Sequence, residues 1–205
     1  MKNTLPRPVR NRTSGRNRPG THDRRVRKTK ASLHDALIGL AREKPYPSIA
    51  VKEILGRANV GRSTFYTHFR DKDDLLESGI RHILQSMCQR PRSGSSFEHV
   101  VAFSLPLLTH IDAHRRDAGA TMGRSGRLAM HAHLQRVLTN LIAEELSDVR
   151  RRKPASLPPT DLLAKHVAAT FVLALNWWID SDAPLTPVEV DSHFRALVQP
   201  VLTTF

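Results

Sequence analysis

The sequence predicts an all-α fold, and three observations carry that expectation. Apolar residues recur at intervals of three and four through most of the chain from Leu33 to Val201. No run alternates apolar and polar residues over the length of a strand. Clusters rich in Pro, Gly and Ser, such as Arg90-Pro91-Arg92-Ser93-Gly94-Ser95-Ser96 and Lys153-Pro154-Ala155-Ser156-Leu157-Pro158-Pro159, separate segments of helix length.

Residues 1–28 have no apolar period and are rich in Arg, Asn, Pro, Thr and Gly, which predicts a disordered basic arm. A helix then starts near Thr29, with Leu33, Leu37, Leu40 and Ala41 on one face, and Pro45 and Pro47 end it. Val51 to Ala58 is a short helix with Ile54 and Ala58 on one side. Asn59-Val60-Gly61 is a tight turn in which Asn59 takes a left-handed backbone. Arg62 to Phe69 is a second short helix burying Phe65 and Phe69. Asp71, with Asp74 three residues on, caps a helix from Lys72 to about Gln89, whose core side is Leu75, Leu76, Ile80, Ile83, Leu84 and Met87.

Beyond the linker at 90–96, Phe97 to about Thr109 reads as a helix kinked or stopped at Pro106, followed by a separate segment from His110 to Arg116. Ala118 to Gly126 is weakly patterned. Leu128 to about Arg151 is a long helix carrying Leu134, Leu138, Leu141, Ile142 and Leu146. Thr160 to Asp180 follows with Leu163, Val167, Phe171, Ala174, Trp177 and Trp178. The adjacent tryptophans cannot share one narrow seam, so one is expected inside the subunit and the other across a dimer interface or against the last helix. Thr186-Pro187-Val188-Glu189 places an N-cap, an N1 proline and an N3 glutamate in order. Val190, Phe194, Leu197, Val198 and Val201 continue that last helix.

The charge is unevenly placed. Residues 1–30 hold eleven Lys or Arg against Asp23 alone, so +10 of the net +13 lies there. A near-balanced globule with a basic arm suits a polyanionic partner, nucleic acid before membrane. Cys88 is the single cysteine, which excludes a disulfide within the chain and a cysteine-rich zinc site, and leaves the thiol as a small filler. The first thirty residues hold no apolar stretch of the signal-peptide kind, so a cytoplasmic location is expected. Leu162 to Ile179 contains Lys165, His166 and Asn176 and reads as a buried helix rather than a membrane span. His110, Asp112, His114, His131 and His133 lie near one another in sequence. Eleven histidines make such pairs common, so no metal or other cofactor is expected. No glycine-rich phosphate loop, nucleophile elbow or His-Glu-x-x-His pattern supports an enzyme.

Two short helices joined by a three-residue turn, behind a longer helix, make a helix-turn-helix over about residues 50–69. Its second helix offers Arg62, Ser63, Thr64, Thr67 and His68 outward, donors suited to phosphates and base edges. The stretch from Ala50 to Phe69, with Arg70-Asp71-Lys72-Asp73-Asp74-Leu75-Leu76 after it, resembles the N-terminal domain of the TetR family of bacterial regulators. Ile54, Ala58, Val60, Thr64, Tyr66, His68, Phe69, Lys72 and Leu75 carry the likeness. It departs at Ala50, where a hydroxyl cap is usual and Ser48 is the nearest substitute, and at Asn59 and Gly61.

The resemblance implies a DNA-binding domain over 29–76 and a helical ligand-binding and dimerisation domain over 77–205. It implies phosphate contacts from Tyr66, His68 and Lys72, a phosphate or base contact from Thr64, and sequence choice by Arg62 and Ser63; Lys52 adds a groove or phosphate contact. It further implies a homodimer on a palindromic duplex, joined through Thr160–Asp180 and Thr186–Val201, acting as a repressor released by a small molecule. Phe103, Leu107, Met122 and Met130 are candidates to line that molecule's cavity, against the plainer reading of core packing. A rival class is a nucleic-acid-coating protein driven by the arm alone, without sequence preference.

Overall fold

The computed structural model describes residues 21–87, 96–117, 124–152, 158–181 and 184–202. Among these the secondary structure is helical throughout: α1 (Thr21–Glu43), a 3-10 turn (Tyr46–Ser48), α2 (Val51–Ala58), α3 (Arg62–His68), α4 (Lys72–Met87), α5 (Ser96–Val101), α6 (Ser104–Asp117), α7 (Arg124–Arg152), α8 (Thr160–Asp180) and α9 (Pro187–Leu202). Cys88 and Met122 lie outside the described residues, as does most of the arm.

Two boundaries differ from expectation. Helix α1 begins at Thr21, so residues 21–28 are helical rather than part of a structureless arm. The basic residues there lack an apolar period, but no Pro or Gly interrupts Thr21 to Ile38, and Asp23 sits favourably in the first turn. Near Pro106 the chain breaks earlier, at Ala102 and Phe103, and α6 then runs without interruption through His110. Pro106 falls in the first turn of α6, where its missing N–H costs no helical bond.

The termini are fixed by local chemistry. Asp71 Oδ1 accepts from Asp74 N–H at 2.8 Å and caps α4. Thr186 N–H donates to Glu189 at 2.7 Å while Thr186 Oγ1 accepts from Glu189 N–H, a reciprocal cap on α9. Ala50 brings no side-chain oxygen to α2. Only the return half is present, Ala50 N–H donating to Glu53 Oε2 at 2.9 Å. Ser48 is not the substitute cap, since its hydroxyl donates to Pro45 O. Lys44 steadies Glu53 at 2.6 Å, and these donors hold the Glu53 carboxyl below its usual range.

In the N-terminal region Leu33, Leu37 and Leu40 of α1 share one buried core with Ile54 of α2, Phe65 of α3 and Leu75 of α4. In the C-terminal region α7 lies chiefly along α8, and α9 packs on α6 and α8. Phe103, Phe171 and Phe194 interlock there, with centroids 5.1 to 6.1 Å apart. Helix α8 is apolar and long enough to cross a bilayer, but Leu163, Val167, Phe171 and Trp178 are all buried inside the protein. Trp178 is fully enclosed and donates Nε1–H to Leu185 O at 3.0 Å, whereas Trp177 stays 47% exposed. The two tryptophans therefore do separate, as their adjacency requires.

Candidate nucleic-acid interface

The turn before α3 is a complete helix stop. Asn59 adopts φ 52 and ψ 47, the left-handed conformation that Asn tolerates. Val60 N–H then reaches Leu55 O at 3.1 Å, and Asn59 N–H reaches Gly56 O at 3.4 Å. This pair is a Schellman closure, and it ties Val60 back over Leu55. Gly61 has a negative φ, and a Cβ there would meet only Thr64 Oγ1 at 3.9 Å, so the backbone does not demand glycine.

Helix α3 is anchored on one side and free on the other. Phe65 is fully buried and Phe69, the residue closing the helix, nearly so. Tyr66, Ser63, Thr67 and Thr64 follow one another around the arc away from Phe65 at 100° per residue, with Arg62 at its edge, and all five are exposed. The Arg62 guanidinium sits 5.6 Å from the Tyr66 ring centre, one turn away. The Thr67 hydroxyl donates to Ser63 O at 2.9 Å and keeps its lone pairs outward. His68 is partly covered, its ring edge toward Phe69. Lys52 is exposed on α2. Arg62, Ser63, Thr64, Tyr66 and Thr67 are therefore all exposed on α3, whereas the Lys72 side chain is not part of that surface.

The side chain of Lys72 turns inward. Its ammonium donates to Tyr46 O at 2.9 Å, Pro47 O at 3.0 Å and Ile49 O at 2.9 Å, which uses all three protons. It also lies 4.8 Å from the Tyr46 ring centre. In this position the ammonium clamps the loop leading into α2.

Two sequence profiles match this chain. One, described as bacterial regulatory proteins of the tetR family, covers residues 33–78. The other, described as a transcriptional regulator C-terminal region, covers residues 98–200, half of the chain. The chain belongs to the TetR family. An uncharacterized HTH-type transcriptional regulator of Bacillus subtilis (strain 168), YxbF, is 37% identical over 60 residues, 29% of this chain and 16% of that protein. Among solved structures, a TetR-family regulator from Syntrophomonas wolfei superposes with a TM-score of 0.56 at 15% identity, covering 84% of this chain and 94% of the other. RolR in complex with resorcinol superposes with a TM-score of 0.52 at 21% identity, covering 87% and 89%. These likenesses establish the fold, and the profiles establish a DNA-binding transcriptional regulator.

In this TetR-family chain the head is joined to the C-terminal region by a polar junction that sequence patterns did not reveal. The Tyr46 hydroxyl donates to Asp73 at 2.6 Å, and burial with that carboxylate raises its pKa well above a free phenol. His133 of α7 lies 3.0 Å from Glu77 and 3.7 Å from Asp73, both on α4, and Arg136 also pairs with Glu77. His34 Nε2 contacts Leu75 O at 3.1 Å, and burial lowers its pKa, so the neutral ring carries its proton on Nε2. Partners of this kind sit 27 to 60 residues apart in sequence, beyond any local signal.

The remaining candidates separate by burial. Phe103 and Leu107 are buried, Phe103 in the aromatic trio, and Met130 is partly buried against the core. The His110 and His114 ring centres lie 4.0 Å apart with their planes tilted by 46°, and His114 Nδ1 contacts His110 O. Among the described residues no three His, Cys, Asp or Glu are grouped to hold a metal.

Proposed function

We propose that this regulator is a cytoplasmic homodimeric repressor that reads a palindromic operator with α3 and releases it when a small molecule binds the C-terminal region. The observation that carries this reading is the exposed arc of Arg62, Ser63, Tyr66 and Thr67 on a short helix pinned from behind by fully buried Phe65. Arg62 and Ser63, at the N-terminal end of α3, read base edges in the major groove. Tyr66, Thr64, Thr67 and His68 hold the flanking phosphates, and Lys52 adds a contact from α2. Lys72 acts indirectly, by fixing the carbonyls before α2.

The two copies join through α8 and α9, where Leu162, Leu173, Trp177 and Leu197 are exposed. The RolR complex with resorcinol supports a small-molecule effector for this fold, and Phe103, Leu107 and Met130 mark where it would insert. Such a molecule releases DNA only as far as it prefers the released state of the protein.

The test is a panel of operators substituted one base pair at a time. Arg62→Ala is expected to flatten preference at one base pair per half-site, a loss of about 1–3 kcal/mol of discrimination, and to leave the others ranked as before. Tyr66→Phe is expected to weaken every operator evenly. An even loss from Arg62→Ala, or a position-dependent loss from Tyr66→Phe, would reverse these roles.

A further inference from the structure

The N-terminal turns of α1 are a feature the helix-turn-helix does not use. From Thr21 to Leu33, the first buried residue of α1, the helix runs about 18 Å. Over that length Arg24, Arg25, Arg27 and Lys28 are exposed, and the one acid is Asp23. Arg24 shares a helix face with both Arg27 and Lys28. Like charges at that spacing oppose the helix by a few tenths of a kcal/mol each, about 0.2–0.5. A polyanion laid against the face turns that repulsion into attraction.

The placement says which polyanion. Lys30 sits with its ammonium 5.7 Å from the ring centre of Phe69, the residue that closes α3. His34, one turn further on, meets the same ring at 5.9 Å. Helix α1 therefore leaves the head beside the C-terminal end of α3. Lys30, Arg27 and Arg24 step back along it three residues at a time, beyond Phe69. Arg70, just past α3, is exposed as well, 3.6 Å from Asp74. Val26 is the only apolar residue from Thr21 to Lys30, so the rod has no apolar face to enter a lipid surface.

We propose that Arg24, Arg25, Arg27 and Lys28 form a second DNA-contacting element that grips backbone phosphates flanking the half-site read by α3. This rests on the assignment of α3 as the reading helix. The element adds affinity and salt dependence without sequence preference, because it meets phosphates and not base edges.

The experiment uses the full chain and an operator obtained by selection, either trimmed to its core or extended on both sides with unrelated sequence. Wild type is expected to bind the extended duplex roughly tenfold more tightly than the trimmed one. With two phosphates held per subunit, its salt slope is steeper on the extended duplex by about 3.6. The quadruple variant R24Q/R25Q/R27Q/K28Q keeps good helix formers and is expected to lose the flank effect while ranking operators as wild type does. The variant R24K/R25K/R27K is expected to retain it, since charge is what matters. A flank effect unchanged in the glutamine variant, absent from wild type, or lost in the lysine variant overturns the proposal. A wild type that enriches no operator overturns instead the assignment of α3, before any variant is made.

Discussion

Introducing Asp at Leu173 and Leu197 together is expected to convert the protein to a monomer and to lower operator affinity by at least about a hundredfold. Leu173 and Leu197 are 65% and 58% exposed, and Leu162 and Trp177 add 56% and 47%. Single exposed apolar residues are ordinary, but these cluster. Leu162, Leu173 and Trp177 fall within about 60° of one another around α8. On α9, His193 meets the Trp177 ring at 6.2 Å, and Leu197 lies one turn beyond it. Among the described residues Leu173 and Leu197 are both more than half exposed, so the substitutions should leave helix content intact. The affinity falls because one head alone gains only half the contacts. Sedimentation and operator titration check both parts. A dimer that survives both aspartates would move the interface elsewhere.

Lys72→Met is expected to cost the free protein about 1–3 kcal/mol of stability and to weaken operator binding with it. The methionine keeps the stem but removes the ammonium from the carbonyls of Tyr46, Pro47 and Ile49, of which Tyr46 O still accepts from Ile49 N–H at 3.1 Å. A part-buried acceptor left unpaired costs about 1–3 kcal/mol, and Ile49 O is the part-buried one that loses its donor. Those carbonyls lie just before Ala50 and α2, so the loss loosens the positioning of the whole reading unit. Thermal melting without DNA separates this role from a phosphate contact. If Lys72 simply touches phosphate, melting is unchanged and only the salt dependence of binding becomes shallower.

Much of the fold was legible because it is written in local patterns. The periods around Leu33 and Leu134, the caps at Asp71 and Thr186, and the left-handed Asn59 all act within a few residues. The outward face of α3 was legible for the same reason, since burial of Phe65 and Phe69 fixes which side is free. The start of α1 was not, because Arg24 to Lys28 hold a helix through backbone propensity and continuity with Leu33, without an apolar stripe of their own. The inward turn of Lys72 was hidden too. Its partners are supplied by a 3-10 turn 23 to 26 residues earlier in the chain. The junction of His133 with Glu77 and Asp73 exists only once α7 has packed on α4.

The most direct measurement is selection of bound duplexes from a random pool by the full-length protein at moderate salt. Specific reading by paired α3 helices predicts enrichment of one palindrome, with half-site centres on the order of 34–36 Å apart on straight DNA. Retention of duplexes without any shared sequence would contradict it, and would leave basic charge alone holding the DNA.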